Sequence, residues 1–153
     1  MEVEILALYE SLLLAWNQQD AMAYGLLFTD DGSLVGFDGS ELNTPREIVD
    51  TLAFVFSQHP TARFVSVVRE IRALDESNAL LRANVGMVPR NTTVLNPAVN
   101  AIQSLTAQKM SGVWKIAHFQ NTPAAFHGRP ADQEKLTREL QGLVNSGLTV
   151  RVG

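Results

Sequence analysis

A chain of 153 residues with 46% hydrophobic and 18% charged residues is long and apolar enough for one packed domain, since roughly 68–70% of the unfolded surface can be buried at this length. Twelve basic residues against sixteen acidic ones give a net charge of −4 with no Lys/Arg cluster, which argues against a nucleic-acid partner. The absence of cysteine excludes disulfide and thiolate chemistry and suits a reducing cytoplasm, and no apolar run reaches the 18 residues a membrane span needs.

From the N-terminus, Ile5, Tyr9, Leu12, Leu13 and Trp16 recur at helical spacing and predict a helix of about four turns. The start lacks the basic residues of a signal peptide and carries Glu4 and Glu10. Asp20 suits the cap of a second, shorter helix presenting Tyr24, Leu27 and Phe28. Residues 29–39, TDDGSLVGFDG, read as a turn into a short strand and out again, with the Asp30 and Asp31 carboxylates in water. Thr44-Pro45-Arg46-Glu47 is a capping box with proline at the first helical position, and Ile48, Leu52, Val55 and Phe56 continue that third helix.

After Pro60 the apolar period changes from helical to two. Residues 62–74, 78–88, 98–110 and 113–122 predict four long strands, antiparallel where their connections are short. Leu136, Leu140, Leu143 and Val144 then mark a C-terminal helix over 130–147, ending at Gly147. Residues 148–152 alternate, which predicts a short added strand or a segment lying across a neighbouring subunit. The expected fold is α+β in one domain over 1–153. Residues 1–60 supply three helices and the first short strands, 61–122 a curved antiparallel sheet covered by those helices, and 130–147 the added helix. Strand 62–74 is apolar on both sides, Phe64 and Val68 against Val65 and Val67, so the face away from the helices needs a cover; this predicts a homodimer through that face.

The candidate site lies in WKIAHFQNTP, residues 114–123. Strict alternation puts Trp114, Ile116, His118 and Gln120 on one face, an apolar base with a polar upper edge. His118 is the only histidine on an expected strand and the candidate acid or base; the alternative, a half-buried histidine satisfied by a backbone carbonyl or a subunit contact, stays open. Asn121 occupies the opposite face from Gln120, so at most one of the two amides lines a cavity directly. Asn121 is read either as a ligand contact or as a tie at the strand end before Pro123. The three histidines, 59, 118 and 127, have no ligand spacing, so no metal is expected, and no glycine-rich phosphate or dinucleotide motif implies a cofactor.

The order Trp16, Asp20, Leu27 to Gly32 early and Gly112-Val-Trp-Lys-Ile-Ala-His-Phe-Gln-Asn-Thr-Pro123 late resembles the NTF2-like superfamily, which includes ketosteroid isomerase and the SnoaL-like polyketide cyclases. Phe119 to Pro123 followed by Phe126-His127-Gly128-Arg129-Pro130 is similar to the SgcJ/EcaC group. The resemblance implies a cone-shaped cavity that takes a small apolar or aromatic metabolite and moves Tyr24, Phe28 and Trp114 toward it; these three and Trp16 are read as contacts or as core by their spacing alone, and Gln120 and Asn121 are the candidate polar contacts. It implies a tailoring step of secondary metabolism, or noncatalytic binding or a dimeric interaction module as the alternative. The position matching the isomerase's catalytic base, five residues after an Asp-Asp pair, is Gly36 here. Asp38 could substitute, although Gly39 beside it favours a turn. Residues 78–122 contain no Asp or Glu, so carboxylate-driven enolisation has little support.

Overall fold

In the computed structural model, which describes residues 1–153, the N-terminal helix α1 spans Glu2–Asn17 and buries Ile5, Tyr9, Leu12 and Leu13 along one stripe. Helix α2, Ala21–Gly25, starts where the Asp20 carboxylate accepts from the Ala23 amide at 3.0 Å. Strands β1, Phe28–Val35, and β2, Glu41–Leu42, lead into helix α3, Pro45–Gln58. At its start the Glu47 amide donates to Thr44 Oγ1 at 3.1 Å, and the Glu47 carboxylate reaches back to the Asn43 amide at 2.7 Å. The four long strands follow: β3, Arg63–Ala73; β4, Asn78–Val88; β5, Ala101–Met110; and β6, Val113–Pro123. Helix α4, Pro130–Asn145, and strand β7, Val150–Val152, complete the chain.

The sheet has the order β2-β1-β6-β5-β4-β3-β7. It is mixed, which corrects the expected all-antiparallel sheet: β3 to β6 pair antiparallel, but β1 runs parallel to β6 and β7 parallel to β3. Short hairpins force antiparallel pairing only between sequence neighbours; β1 meets β6 after the rest of the fold intervenes, and β7 returns through α4.

Three boundaries also differ from expectation. Phe28 opens β1 instead of ending α2. Asp30-Asp31-Gly32 is no turn at a helix end but an irregular stretch of β1, between the pairs Phe28–Ile116 and Ser33–His118, with both carboxylates exposed. Gly32 allows this approach, since a Cβ there would lie 3.0 Å from the Ile116 carbonyl oxygen. β5 begins at Ala101, not 98, because the Asn96 side chain accepts from the Ala98 amide and turns Pro97–Val99 into a 3-10 turn.

Helices α1, α2 and α3 cover the inner face over a core of 24 buried residues. On the outer face α4 seats Leu136, Leu140 and Leu143 on Val65, Val67, Val88 and Leu95. The face of β3 for which a dimer partner was expected is thus covered by the chain's own last helix, and Val65 and Val67 supply no argument for a homodimer. Gly86 lets α4 approach, because a Cβ there would meet Leu140 Cδ1 at 3.1 Å and collide with Leu95. Glu139 fastens the helix: Arg69 donates to its two carboxylate oxygens at 2.6 and 3.0 Å and Arg151 of β7 donates at 3.0 Å. The Arg69 hydrogen bond holds the Glu139 carboxyl below its ordinary range. The tail is therefore a strand of this sheet, and no helix is long and apolar enough to cross a membrane.

Candidate functional site

Which side of β6 faces the helices is decided by one residue. Trp114 and Ile116 point inward, 7% and 0% exposed. The register then breaks: Ala107 pairs with Ile116 and Thr106 with His118, so Ala117 is an extra residue, a β-bulge. One extra residue reverses every side chain beyond it. Phe119 and Asn121 turn inward beside their cross-strand partners Leu105 and Gln103, while His118 and Gln120 turn outward. The expected wall of Trp114, His118 and Gln120 does not form, because the strand does not alternate strictly across the bulge.

A pocket of about 380 Å³ opens on the inner side. Thr51, Leu52 and Val55 of α3 form one wall; Leu34, Leu42 and the turn between β1 and β2 form another; Phe119 and Asn121 of β6 form a third. Trp16, Tyr24, Phe64, Met87 and Val99 complete the lining. Trp16 is fixed by its indole N–H donating to the Ala62 carbonyl at 2.9 Å, and its ring meets Phe56 edge-on at 5.4 Å and Phe64 at 5.2 Å. Tyr24 stacks on Phe28 at 5.8 Å, so Phe28 backs the pocket wall without lining it. Burial pushes the Tyr24 phenol well above its ordinary value, with proximity to Tyr9 adding to the shift.

Of the residues singled out in the sequence, Trp16, Tyr24 and Asn121 meet at this pocket. Trp114 lies in the inner core under α1, away from it, and Phe28 stands one layer behind. His118 and Gln120 stand on the outer face in a polar row: Ser33 Oγ lies 2.8 Å from His118 Nδ1, His118 Nε2 lies 3.4 Å from Gln120 Oε1, and Gln120 Nε2 donates to Thr122 Oγ1 at 3.4 Å.

For Asp38 the turn that Gly39 favours is what forms. Asp38 sits in a tight turn in which the Gly36 amide donates to the Ser40 carbonyl and the Gly39 amide to the Gly36 carbonyl, each at 2.9 Å, with Gly39 at φ +90°. It also lines the pocket at the exposed rim. The Ser40 amide donates to its carboxylate at 2.9 Å and holds it below the usual carboxylate range.

Sequence reasoning missed a buried polar chain beside the pocket. The Tyr9 hydroxyl donates to Gln103 Oε1 at 2.6 Å, so the Ser66 hydroxyl, 2.7 Å away, donates to Tyr9. Gln103 is 1% exposed and its Nε2 has no partner; Asn121 Oδ1, on the paired residue of the next strand, is buried without one as well. The signal was present: Gln103 breaks the inward alternation Ala101, Leu105, Ala107 with a polar residue.

A helix-covered curved sheet with a pocket at one end agrees with what family comparison finds. The model of the SnoaL-like domain matches residues 5–125. The chain belongs to the SnoaL-like domain family. The match stops before α4 and β7. A comparison with curated protein sequences finds no match. Among solved structures, this SnoaL-like protein is similar to a protein of unknown function with a cystatin-like fold from Nostoc punctiforme, with TM-score 0.77, 19% identity and coverage of 95% of this chain and 94% of that one. It is also similar to a ketosteroid isomerase-like protein from Erwinia carotovora, with TM-score 0.64, 21% identity and coverage of 80% and 95%. An NTF2-like protein of unknown function from Shewanella oneidensis aligns with TM-score 0.62, 18% identity and coverage of 79% and 98%. At these identities the likeness is one of fold: an α+β, cystatin-like or NTF2-like arrangement of a seven-stranded mixed sheet and four helices.

Proposed function

We propose that this SnoaL-like protein binds a small, mostly apolar or aromatic metabolite in the pocket between α3, the β1–β2 turn and β6. The observation that carries the reading is the lining: 11 of 16 residues are hydrophobic, and Trp16, Tyr24, Phe37, Phe64 and Phe119 give it flat aromatic surfaces. A mostly apolar hollow of this size with a few polar groups is the usual form of a small-molecule site. Asn121 and Ser40 supply the polar contacts.

The reading covers binding and stops short of turnover. No histidine or glutamate lines the pocket, and its one carboxylate, Asp38, is held below the ordinary range, the opposite of the upward shift a general base at neutral pH needs. Noncatalytic binding is therefore favoured over a tailoring reaction. The SgcJ/EcaC affinity belongs to the same proposal and rests on residues 119–130 alone.

Titration with N-phenyl-1-naphthylamine, an apolar probe whose emission rises in apolar surroundings, tests the reading. Saturable binding by the wild type and its loss in Val55→Trp, which fills the pocket from α3, is the expected result. Absence of binding, or equal binding by a Val55→Trp variant that still melts cooperatively, overturns it.

A further inference from the structure

The pocket's charges point to the kind of ligand it takes, an inference that rests on the binding reading above. Asp38 is the only charged residue in the lining, and none of the chain's ion pairs involves it. The turn that carries it and the first turns of α3 share its sign. Between residues 36 and 52 the acids Asp38, Glu41, Glu47 and Asp50 face one base, Arg46, so this segment holds −3 (four negative, one positive) of the chain's net −4. Arg46 is already engaged by Asp50 at 3.8 Å. A rim of one sign above low-dielectric walls attracts the opposite charge and repels its own.

The geometry separates the charge from the apolar part. Asp38 stands in solvent at the turn, while Phe64, Met87 and Phe119 line the inner part. A charge carried into that interior would lose its hydration without a counter-charge, whereas one held at the rim keeps water and gains a carboxylate. Phe37, next to Asp38 in the turn, adds an aromatic surface of the kind that attracts organic cations. We propose that the ligand is an organic cation: an ammonium group on an aromatic or alicyclic body, the body inside the pocket and the ammonium against Asp38. A carboxylate on the same body meets Asp38 and its acidic neighbours and is disfavoured.

Calorimetric titration with three probes sharing one body, 4-phenylbutylamine, 4-phenylbutanol and 4-phenylbutyrate, tests this directly. The amine binds about fivefold tighter than the alcohol at an ionic strength of about 10 mM, the upper end for an exposed ion pair, and the butyrate binds weakest. The amine-to-alcohol ratio falls toward one at about 1 M salt in the wild type, and falls likewise in Asp38→Asn at low salt. Equal affinities, a butyrate preference, or an amine preference that survives both salt and Asp38→Asn overturns the cation assignment while leaving the pocket standing. Failure of all three probes to bind overturns the binding reading itself, and the cation assignment with it.

Discussion

The inner face of the sheet is filled at one end and hollow at the other. At the filled end Leu81, Leu105 and Ile116 are wholly buried together with Ile5 and Leu12 of α1, and the polar chain Ser66–Tyr9–Gln103 beside the pocket is sealed as well. At the hollow end α3 and the β1–β2 turn stand away from β6, leaving about 380 Å³ between Val55, Leu42 and Phe119. The same strands serve both ends, so the difference comes from what covers them. A helix laid directly on the sheet makes core, whereas under α3 and the hairpin, where Trp16 packs against Tyr24 and Phe56, room remains.

The comparison is broken most easily by truncation. Leu105→Ala, at the filled end, is expected to cost about 2–5 kcal/mol, because the lost side chain leaves a new cavity in a close-packed region. Leu42→Ala, at the pocket lip, creates no new enclosed cavity and is expected to cost at most about 1 kcal/mol. Urea denaturation of both variants decides; equal losses would mean that the two ends are packed alike.

The two tyrosines give a smaller contrast. Tyr9→Phe leaves Gln103 Oε1 without its buried donor and is expected to cost about 1–3 kcal/mol, whereas the Tyr24 hydroxyl has no protein partner and Tyr24→Phe is expected to change stability by less than about 0.5 kcal/mol. Thermal melts of the single variants separate them.

Alkaline pH sharpens the comparison further. Burial, the largest cause, raises the phenol pKa of both Tyr9 and Tyr24 above the ordinary value near 10. A raised folded value means the stability is fully present below about pH 10 and is lost as pH climbs above it. Melting temperature should hold to about pH 9 and fall beyond pH 10, with a shallower fall in Tyr9→Phe. A fall that begins near neutrality would contradict the burial of both rings.

Much of the framework was legible because the signals are local. The caps at Asp20 and Thr44 and the apolar stripes of α1, α3 and α4 use contacts within a few residues. The four long strands show their period of two over ten or eleven residues. The site was half legible: Trp16, Tyr24 and Asn121 could be named, and Asn121 as a ligand contact was one of two open readings. The bulge at Ala117 has no sequence mark of its own, since alanine fits either face, and it reverses the sides of His118 and Asn121. The pairing of β1 with β6 joins residues 85 apart at Ser33 and His118, which no local pattern encodes. The stripe of α4 was readable but its target, Val65 and Val67, was not, because an apolar strand face does not say which element will cover it.

Gln120 and Asn121 are adjacent, carry the same kind of side-chain amide, and face opposite sides of β6, so each is an internal control for the other. In a 15N-resolved NMR titration with N-phenyl-1-naphthylamine, the side-chain amide signal of Asn121 is predicted to shift in proportion to saturation while that of Gln120 stays in place. A shift at Gln120 and His118 with Asn121 unmoved would contradict the account and move the binding face to the outer side of the sheet.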